Sequence, residues 1–228
     1  MKMCPKCWKA FIADTQLACA ACADPIDESE DELFDLEIKK SIKTSVKPST
    51  QKPSKVDFNN KTIKNRSIYL CFQGKQLVNE YDGGYIFAGL DPSIPHWRRL
   101  RDVKEGDLIF HASTQGILAI STANGKCFVS KRPREHYLAN DRPDMEGLMV
   151  KLSYILLKNP ILHCNYKSTI IELQGDTKGK GYPFNYKGGG NQGYLYNLNK
   201  ELAKFFMNEI LKVNPHLAGE DFVKELLL

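Results

Sequence analysis

Short stretches of alternating apolar and polar residues run through the middle of the chain, and a period of two is typical of β-strands with one buried face. The clearest is LMVKLSYILL, in which every second residue from Leu148 to Tyr154 belongs to one apolar face. Turn sequences rich in glycine and asparagine separate these stretches. The pattern predicts strands in six segments: NRSIYLCFQ (65–73), YIFAGL (85–90), LIFHA (108–112), ILAIS (117–121), CFVSK (127–131) and LMVKLSYILL (148–157).

The turn sequences also predict how some of these strands are joined. STQG (113–116) stands between two apolar runs, so GDLIFHASTQGILAIS (106–121) is predicted to form a hairpin. ANGK (123–126) contains Asn-Gly, the strongest short hairpin signal, and predicts a second hairpin that leads into CFVSK.

Apolar residues recur at helical spacing in NLNKELAKFFMNEILKV (197–213), which predicts the longest helix of the chain. A short helix is predicted in DPSIPHWRRLRDV (91–103), and STIIELQ (168–174) fits a strand or a short helix. Many short strands with few helices predict an α+β fold, a small β-barrel with helices packed on it. The predicted buried stripe of the long helix is Leu198, Leu202, Phe205 and Ile210.

Composition divides the chain into four parts. Residues 1–23 hold four of the seven cysteines. Residues 24–60 carry a block of eight acidic residues followed by a block of six lysines, a composition that predicts a charged, flexible linker. Residues 61–214 contain the predicted strands and form the main domain, and residues 215–228 are predicted to be a C-terminal helical tail.

The N-terminal cysteines form two C-x2-C pairs, Cys4–Cys7 and Cys19–Cys22, separated by eleven residues. Two thiolates on a tight turn reach the same metal ion, and four thiolates complete the closed tetrahedral shell of structural Zn²⁺. A segment this short has no core of its own, so the metal would stabilise it. The alternative is a redox site or two coincidental pairs. The expectation is a zinc-ribbon-like knuckle with a structural zinc ion.

Charge and hydropathy narrow the functional classes. The main domain and tail carry 23 basic and 17 acidic residues, a mild excess that fits either a solvated surface or a partner that carries phosphates. No apolar run reaches the roughly 18–20 residues of a membrane span, and the N-terminus MKMCPKCW has no apolar signal region. We therefore expect a cytoplasmic protein with no membrane partner.

Several ordered pieces of the main domain resemble a known family. They are NEYDGGYIFAGL, HWRRLRDVKEGDLIFHASTQGILAIS, LMVKLSYILLKNPI and YPFNYKGGGNQGYLYNLN. Together, over about residues 66–213, they resemble PUA-like domains of the EVE and YTH type, in the version found in modification-dependent restriction systems with McrB-like ATPases and HNH nucleases. The GD-x-IFH and GGNQGYLY steps are the most specific parts.

The resemblance implies a pseudo-barrel that binds a flipped, modified base in an aromatic cage. Relatives usually carry GYIWAP where this chain has Gly84 to Gly89, so Phe87 replaces the usual Trp and Gly89 the usual Pro. A base that leaves the stack costs a few kcal/mol, and one aromatic stack returns roughly 1–3 kcal/mol. Phe87 and Trp97 are the favoured cage members, although core packing remains an alternative for each aromatic residue. The candidate base-binding residues are Tyr85, Phe87, Trp97, His111, Ser113 and Asn191.

Basic loops on the same domain suit a rim that contacts the nucleic-acid backbone. KRPRE (131–135) and TKGKGYPFNYKGGG (177–190) hold the basic residues, and the glycines of the second loop permit backbone N–H groups to approach phosphates. The second loop lacks the GK[ST] ending of a P-loop, which argues against nucleotide hydrolysis. The candidate backbone-binding residues are Lys131, Arg132, Arg134, Lys178, Lys180 and Lys187.

The sequence contains no recognisable catalytic set. The five histidines show none of the H-x-E, HExxH or HNH spacings, and G-x-S-x-G is absent. We therefore expect a non-enzymatic module that recognises modified double-stranded DNA, as the specificity component of a restriction or phage-defence system with a nuclease or ATPase effector on another chain. An RNA-binding PUA-like protein and a zinc-ribbon adaptor for a larger complex are the alternatives.

Overall fold

The computed structural model describes residues 66–113, 116–134, 145–175 and 181–228, together with two short strands near the N-terminus. The four cysteines predicted to bind zinc and the predicted linker lie outside the described residues. The strands are β1 (Lys2–Met3), β2 (Phe11–Ile12), β3 (Ile68–Phe72), β4 (Tyr85–Gly89), β5 (Leu108–Ala112), β6 (Ile117–Ala123), β7 (Phe128–Lys131), β8 (Glu146–Ile161) and β9 (Leu195–Asn197). The helices are α1 (Leu77–Gly83), α2 (Pro95–Arg98), α3 (Lys167–Gln174), α4 (Lys200–Val213) and α5 (Asp221–Leu227).

The strands of the main domain form one mixed sheet. Its order is β4-β8-β6-β5-β3-β9, and β7 also pairs with β8. β3 and β5 are parallel, and the other described pairs of the sheet are antiparallel. A parallel pair requires a crossover connection, and here α1, β4 and α2 lie between the two strands in the chain.

The two predicted hairpins have different outcomes. The first is confirmed, because β5 and β6 pair antiparallel. The second is wrong, because β6 and β7 both pair with β8 instead of with each other. Asn124 explains the difference: its backbone N–H donates to the carbonyl of Lys151 at 2.9 Å, and Ser153 Oγ donates to Asn124 Oδ1 at 2.9 Å. These bonds bend the chain while keeping it along β8.

The sheet separates two apolar clusters. On one face, Leu70 and Phe110 pack with residues of α3, α4 and α5, including the fully buried Phe206. Helix α4 begins where Asn199 Oδ1 accepts a hydrogen bond from the backbone N–H of Leu202 at 2.8 Å, an N-cap. On the other face, inside the curl of the sheet, residues of β3, β4, β5 and β8 pack with the 3-10 turn at Arg99–Asp102.

The curl brings the edge strands β4 and β9 close together. The backbone N–H of Phe87 in β4 lies 3.0 Å from the hydroxyl oxygen of Tyr194, which immediately precedes β9. The same N–H lies 3.0 Å from Oε1 of Glu80 on α1. In a complete barrel, backbone hydrogen bonds would join the two edge strands. Here side chains bridge the seam between β4 and β9 instead.

The predicted α+β fold, a curled sheet of short strands with packed helices, is confirmed. All six predicted strands are present, and the ambiguous segment 168–174 is helical within α3. The helix predicted in 91–103 consists of α2 followed by a 3-10 turn. Among the described residues, no helix is both long enough and apolar enough to span a membrane.

Candidate functional site

Two aromatic rings lie over a pair of opposite glycines at the end of β4. Gly89 of β4 faces Gly147 of β8 in the antiparallel register. A Cβ atom on Gly89 would lie 2.7 Å from the Trp97 ring, and a Cβ atom on Gly147 would collide with the Phe87 ring. Because the two Cβ positions of a cross-strand pair point to the same face, both rings occupy space that side chains would otherwise fill. Each ring thus lies against one of the two paired glycines. Trp97 packs on the cluster inside the curl, whereas Phe87 belongs to a separate cluster with Tyr85 and Met149. We call Gly89, Gly147, Phe87 and Trp97 the glycine-floored pair.

Each ring is positioned by its own element. Trp97 is half-buried on α2, a one-turn helix that begins at Pro95, where a fixed φ favours the first helical position. Phe87 is 7 % exposed and clusters with Tyr85 and Met149. Tyr85 lies two residues before Phe87, on the same face of β4 and farther from the glycines. The Lys151 ammonium lies 5.2 Å from the Tyr85 ring centroid in a cation–π contact.

Arginines from the segment that carries Trp97 surround this end of the sheet. Arg98 and Arg101 line a cavity with Gly89 and Leu148. Its volume of about 20 Å³ accommodates roughly one water molecule. A nucleobase is much larger, so it would have to lie on the open side of the rings or displace one of them.

The strand β7 brings further basic residues to the same end. Lys131 pairs with Glu146, one position from Gly147, and the backbone N–H of Arg132 donates to the carbonyl of Met145 at 2.8 Å. These are residues predicted to contact the nucleic-acid backbone: Lys131 ends β7, and Arg132 and Arg134 follow it. They therefore lie next to the strand that carries Gly147. The exposed basic side chains of this end are Arg98, Arg101, Lys131 and Arg134.

His111 lies inside the curl, fully buried, and both ring nitrogens have partners. Nδ1 is 2.7 Å from Gln73 Oε1, and Nε2 is 2.6 Å from Ser121 Oγ. The amide nitrogen of Gln73 faces the carboxylate of Glu80 and also lies 3.0 Å from Tyr154 Oη. Glu80 therefore fixes the orientation of the Gln73 amide, which leaves its oxygen for His111. His111 carries its proton on Nδ1, and Nε2 accepts from Ser121.

Burial favours the neutral forms of the histidine, tyrosines and cysteine that surround Glu80. Desolvation lowers the pKa of His111 to about 3, so the ring is neutral at physiological pH. Desolvation, followed by the nearby charge of Glu80, raises the pKa values of the Tyr154 and Tyr194 hydroxyls and of the Cys71 thiol well above their ordinary ranges. The interior at this end is thus a set of fixed hydrogen-bonding groups, and reading of a base edge by His111 requires the network to open.

Two other candidate base-binding residues hold turns in the structure. Ser113 is 3 % exposed, and its backbone N–H donates to the carbonyl of Gly116 at 2.9 Å, which closes the turn between β5 and β6. Asn191 donates from Nδ2 to the carbonyl of Tyr182 and from its backbone N–H to that of Pro183, both at 2.8 Å. Contact of either residue with a base stays a prediction.

Several predicted residues fall where the structure gives no description. Lys178, Lys180 and the cysteines Cys4, Cys7, Cys19 and Cys22 lie outside the described residues, whereas Lys187 is exposed on a described loop. Strands β1 and β2 flank the first C-x2-C in sequence and pair antiparallel, with Met3 opposite Phe11. Within the described part of the chain, no group of three or more His, Cys, Asp or Glu side chains could hold a metal ion.

Sequence reasoning missed three features of the site. The role of Gly147 could be predicted only from the register between β4 and β8, two strands that are distant in sequence. Arg101 follows Trp97 by four residues in HWRRLR, a helical spacing that could have found it, whereas Arg98 is adjacent to Trp97 and carries no such signal. Glu80, fully buried on α1, lies in a polar segment with no pattern that indicates burial.

Comparisons with known proteins show similarity at the level of structure alone. No protein-family model matches the chain, and no curated protein matches it significantly. One similar solved structure is human THYN1 in complex with DNA that contains 5-methylcytosine, at 14% identity and a TM-score of 0.42, covering 63% of this chain and 97% of that one. Another is the N-terminal domain of Staphylothermus marinus McrB, at 10% identity and a TM-score of 0.38, covering 64% and 96%.

Proposed function

We propose that this chain is a non-enzymatic, PUA-like module that binds DNA and recognises a modified base with Phe87 and Trp97. The observation that carries the proposal is the glycine-floored pair, because it gathers two aromatic rings at one end of the sheet beside exposed arginines. Aromatic rings recognise the face of an unstacked base, and arginines bind the phosphates on either side of it.

The energetics favour recognition of a base that has left the duplex. Extrusion costs a few kcal/mol, least for a base whose stacking is already weakened. Stacking against Trp97 and Phe87 would return roughly 1–3 kcal/mol for each ring. A methyl group on the base adds apolar contact area to these rings, at about 0.8 kcal/mol for each buried carbon. Discrimination between modified and unmodified DNA would then arise at the rings, while affinity would arise at the arginines.

The remaining parts of the proposal concern partners of the module. Phosphates would be held by Arg98 and Arg101, together with Lys131, Arg132 and Arg134. We propose that cleavage in a restriction or phage-defence system is supplied by a nuclease or ATPase on another chain. The zinc-ribbon-like segment, with Zn²⁺ held by Cys4, Cys7, Cys19 and Cys22, is proposed as a further DNA or protein contact. Metal analysis of the full chain tests the last point, with one zinc per chain expected and its loss expected in a Cys4→Ser/Cys7→Ser variant.

A binding comparison with matched ligands tests the central proposal. Duplexes of one sequence would carry cytosine, 5-methylcytosine, 5-hydroxymethylcytosine, adenine or N6-methyladenine, and a structured RNA of equal length would be the competing class. Binding is measured by fluorescence anisotropy at fixed salt, since affinity for nucleic acid depends strongly on salt. We expect at least tenfold tighter binding to one modified duplex. Equal affinity for all duplexes would refute base recognition, and tighter binding to RNA would favour the RNA alternative.

Variants identify the rings as the source of discrimination. Trp97→Ala and Phe87→Leu each remove one aromatic face, so the ratio of modified to unmodified affinity should fall toward one. Val213→Ala is the control, because Val213 is an exposed apolar residue at the end of α4. A Trp97→Ala protein that is folded and retains full discrimination would exclude Trp97 from the site.

A further inference from the structure

A second exposed aromatic feature lies on the loop formed by residues 181–193, which we call the tyrosine loop. Tyr186 is 72% exposed and Tyr182 is 41% exposed. Isolated exposed tyrosines are ordinary, but two on one short loop beside a basic surface indicate contact with a partner. The glycine-floored pair does not include either residue.

The tyrosine loop is anchored through a buried phenylalanine. Phe184 is fully buried among the rings of Phe72, His163 and Phe206. The side chain of Gln174 holds both backbone groups of Phe184, donating to its carbonyl at 2.8 Å and accepting from its N–H at 3.0 Å. The base of the loop is therefore fixed to α3 and to the core.

The tip of the tyrosine loop is also ordered by hydrogen bonds. Asn185 Oδ1 accepts from the backbone N–H groups of Lys187 at 2.8 Å and Gly189 at 3.1 Å. Gly188 has a φ of +72° and packs against the backbone of Lys167, where a Cβ atom would lie 2.8 Å from Lys167 Cα. These amides are occupied within the loop, so the side chains of Tyr186 and Lys187 are the groups offered to a partner.

The charge of this region favours a negatively charged partner. From Thr177 to Asn199 the sequence contains three lysines and no acidic residue. The ammonium of Lys187 lies 5.5 Å from the centroid of the Tyr186 ring. An aromatic face with an adjacent cation is the combination that binds a base together with its phosphate.

The tyrosine loop is connected to the candidate base site by Arg99. This residue lies in the segment that carries Trp97, and its guanidinium donates to the carbonyl of Leu195 at 3.2 Å and to that of Gly181 at 3.5 Å. Gly181 is the first residue of the tyrosine loop. Arg99 therefore joins the base of the tyrosine loop to the segment that carries Trp97.

We infer that Tyr186 is a second base-stacking residue, which binds an unpaired base of the nucleic acid outside the glycine-floored pair, with Lys187 at the adjacent phosphate. The inference rests on the proposed DNA-binding function and extends it to a contact that does not depend on base modification. Stacking on a tyrosine face is tolerant of sequence. Removal of Tyr186 should therefore weaken equally all ligands that carry an unpaired base, whereas removal of Trp97 should change the preference among them.

Three substitutions of Tyr186 separate stacking from other contacts. Anisotropy titrations would use the full chain with three ligands that each carry one unpaired base: the preferred modified duplex, its unmodified counterpart and an unmodified duplex of another sequence. We expect Tyr186→Ala and Tyr186→Leu to weaken all three by about tenfold, within the range for one lost base–aromatic stack. Tyr186→Phe keeps the ring and should bind like the wild type. Because the side chain is exposed, the melting temperature should stay unchanged in all three variants.

The outcomes distinguish this inference from the proposed function. Tyr186→Ala affinity within twofold of the wild type would overturn the inference, as would Tyr186→Leu that binds as well as Tyr186→Phe. A wild-type chain that binds DNA without preference for modification would refute the proposed function, yet the Tyr186 series would still test stacking on the unpaired base. A loss confined to the modified duplex would place Tyr186 in the base site and would also overturn the inference.

Discussion

The carboxylate of Glu80 accepts a hydrogen bond from the backbone N–H of Phe87 at 3.0 Å, which ties helix α1 to the strand that carries the candidate base-binding ring. Tyr194 and the amide of Gln73 donate to the same carboxylate. One buried group therefore bridges the seam of the curled sheet and also orients the network that contains His111. A buried carboxylate destabilises the folded chain unless its oxygens accept hydrogen bonds. The donors around Glu80 therefore stabilise it in the interior.

Glu80→Gln is expected to reverse the proton position on His111. An amide nitrogen at residue 80 would face the amide nitrogen of Gln73, and Gln73 would turn its oxygen toward it. His111 Nδ1 would then face a donor and would have to accept, which moves the proton to Nε2. Long-range ¹⁵N–¹H NMR of the imidazole distinguishes the two forms.

The matched control is Ser121→Ala, which removes the partner of His111 Nε2 without changing Glu80 or Gln73. Here the proton should remain on Nδ1. A Glu80→Gln protein that also keeps the proton on Nδ1 would contradict the assigned orientation of Gln73. Glu80→Ala leaves several buried donors without a partner and should lower the unfolding free energy by about 1–3 kcal/mol for each donor.

The stability of the fold should decrease below about pH 6.5. Burial lowers the pKa of His111 to about 3 and that of His163 to about 4, whereas an unfolded histidine titrates near 6.5. The unfolded chain therefore binds more protons at these two histidines between these values, so their effect is a stability that rises with pH in this window, and they add no pH dependence above it. Each histidine contributes about 1.4 kcal/mol per pH unit, or about 2 kcal/mol at pH 5 relative to pH 7.

Urea unfolding at pH 7 and pH 5 measures this dependence. His163→Leu removes one of the two histidines, at a site lined by Phe72 and Phe184. The unfolding free energy should therefore fall between pH 7 and pH 5 by about 2 kcal/mol less than it does in the wild type. The same loss in both proteins would show that His163 does not remain neutral in the folded chain.

The local pattern of the sequence located most elements but not their arrangement. Period-two alternation identified most strands because their apolar residues pack in one of the clusters, although β7 is largely exposed and β5 is buried at every position. It did not reveal α1, in which Leu77 and Glu80 are the buried residues of a largely polar segment. In the predicted stripe of the long helix, Leu198, Leu202 and Ile210 are buried as predicted, but Phe206 is fully buried in place of Phe205, which is only partly buried. Adjacent phenylalanines leave helix rotation undetermined until the partner surfaces are known.

In the candidate site, too, local sequence predicted single residues but not their arrangement. Phe87 and Trp97 were predicted as base-binding residues from local sequence and from the family resemblance, and that role stays a prediction. The floor beneath them depends on the pairing of Gly89 with Gly147, and register between distant strands is a property of the folded sheet. His111 stood out as a polar residue in an apolar strand, but only the fold shows that its ring is bonded to Gln73 and Ser121.

Gly89→Ala should displace the Trp97 ring while preserving the sheet. The added Cβ would lie 2.7 Å from the ring, which is too close, and a half-buried side chain can move outward. We expect a shift of Trp97 fluorescence, measured with Trp8→Phe as the background because the chain has two tryptophans. Discrimination between modified and unmodified DNA should fall by about tenfold.

Gly125→Ala is the control for this substitution, because a Cβ atom there meets nothing within 4 Å. It should leave both fluorescence and discrimination unchanged. Unaltered discrimination in a folded Gly89→Ala protein with a displaced Trp97 would show that the ring does not contact the base.

Arg98 and Arg101 should contribute affinity without contributing discrimination. Both guanidinium groups are exposed beside the glycine-floored pair, where they would neutralise phosphates and release counterions. Each phosphate contact contributes about −0.9 to the slope of log K against log salt on duplex DNA. Arg98→Ala/Arg101→Ala should therefore make the slope shallower by about 1.8 and weaken modified and unmodified duplexes by the same factor. Lys212→Ala removes an exposed charge on α4, and its slope should match the wild type; an unchanged slope in the double arginine variant would place the DNA elsewhere on the domain.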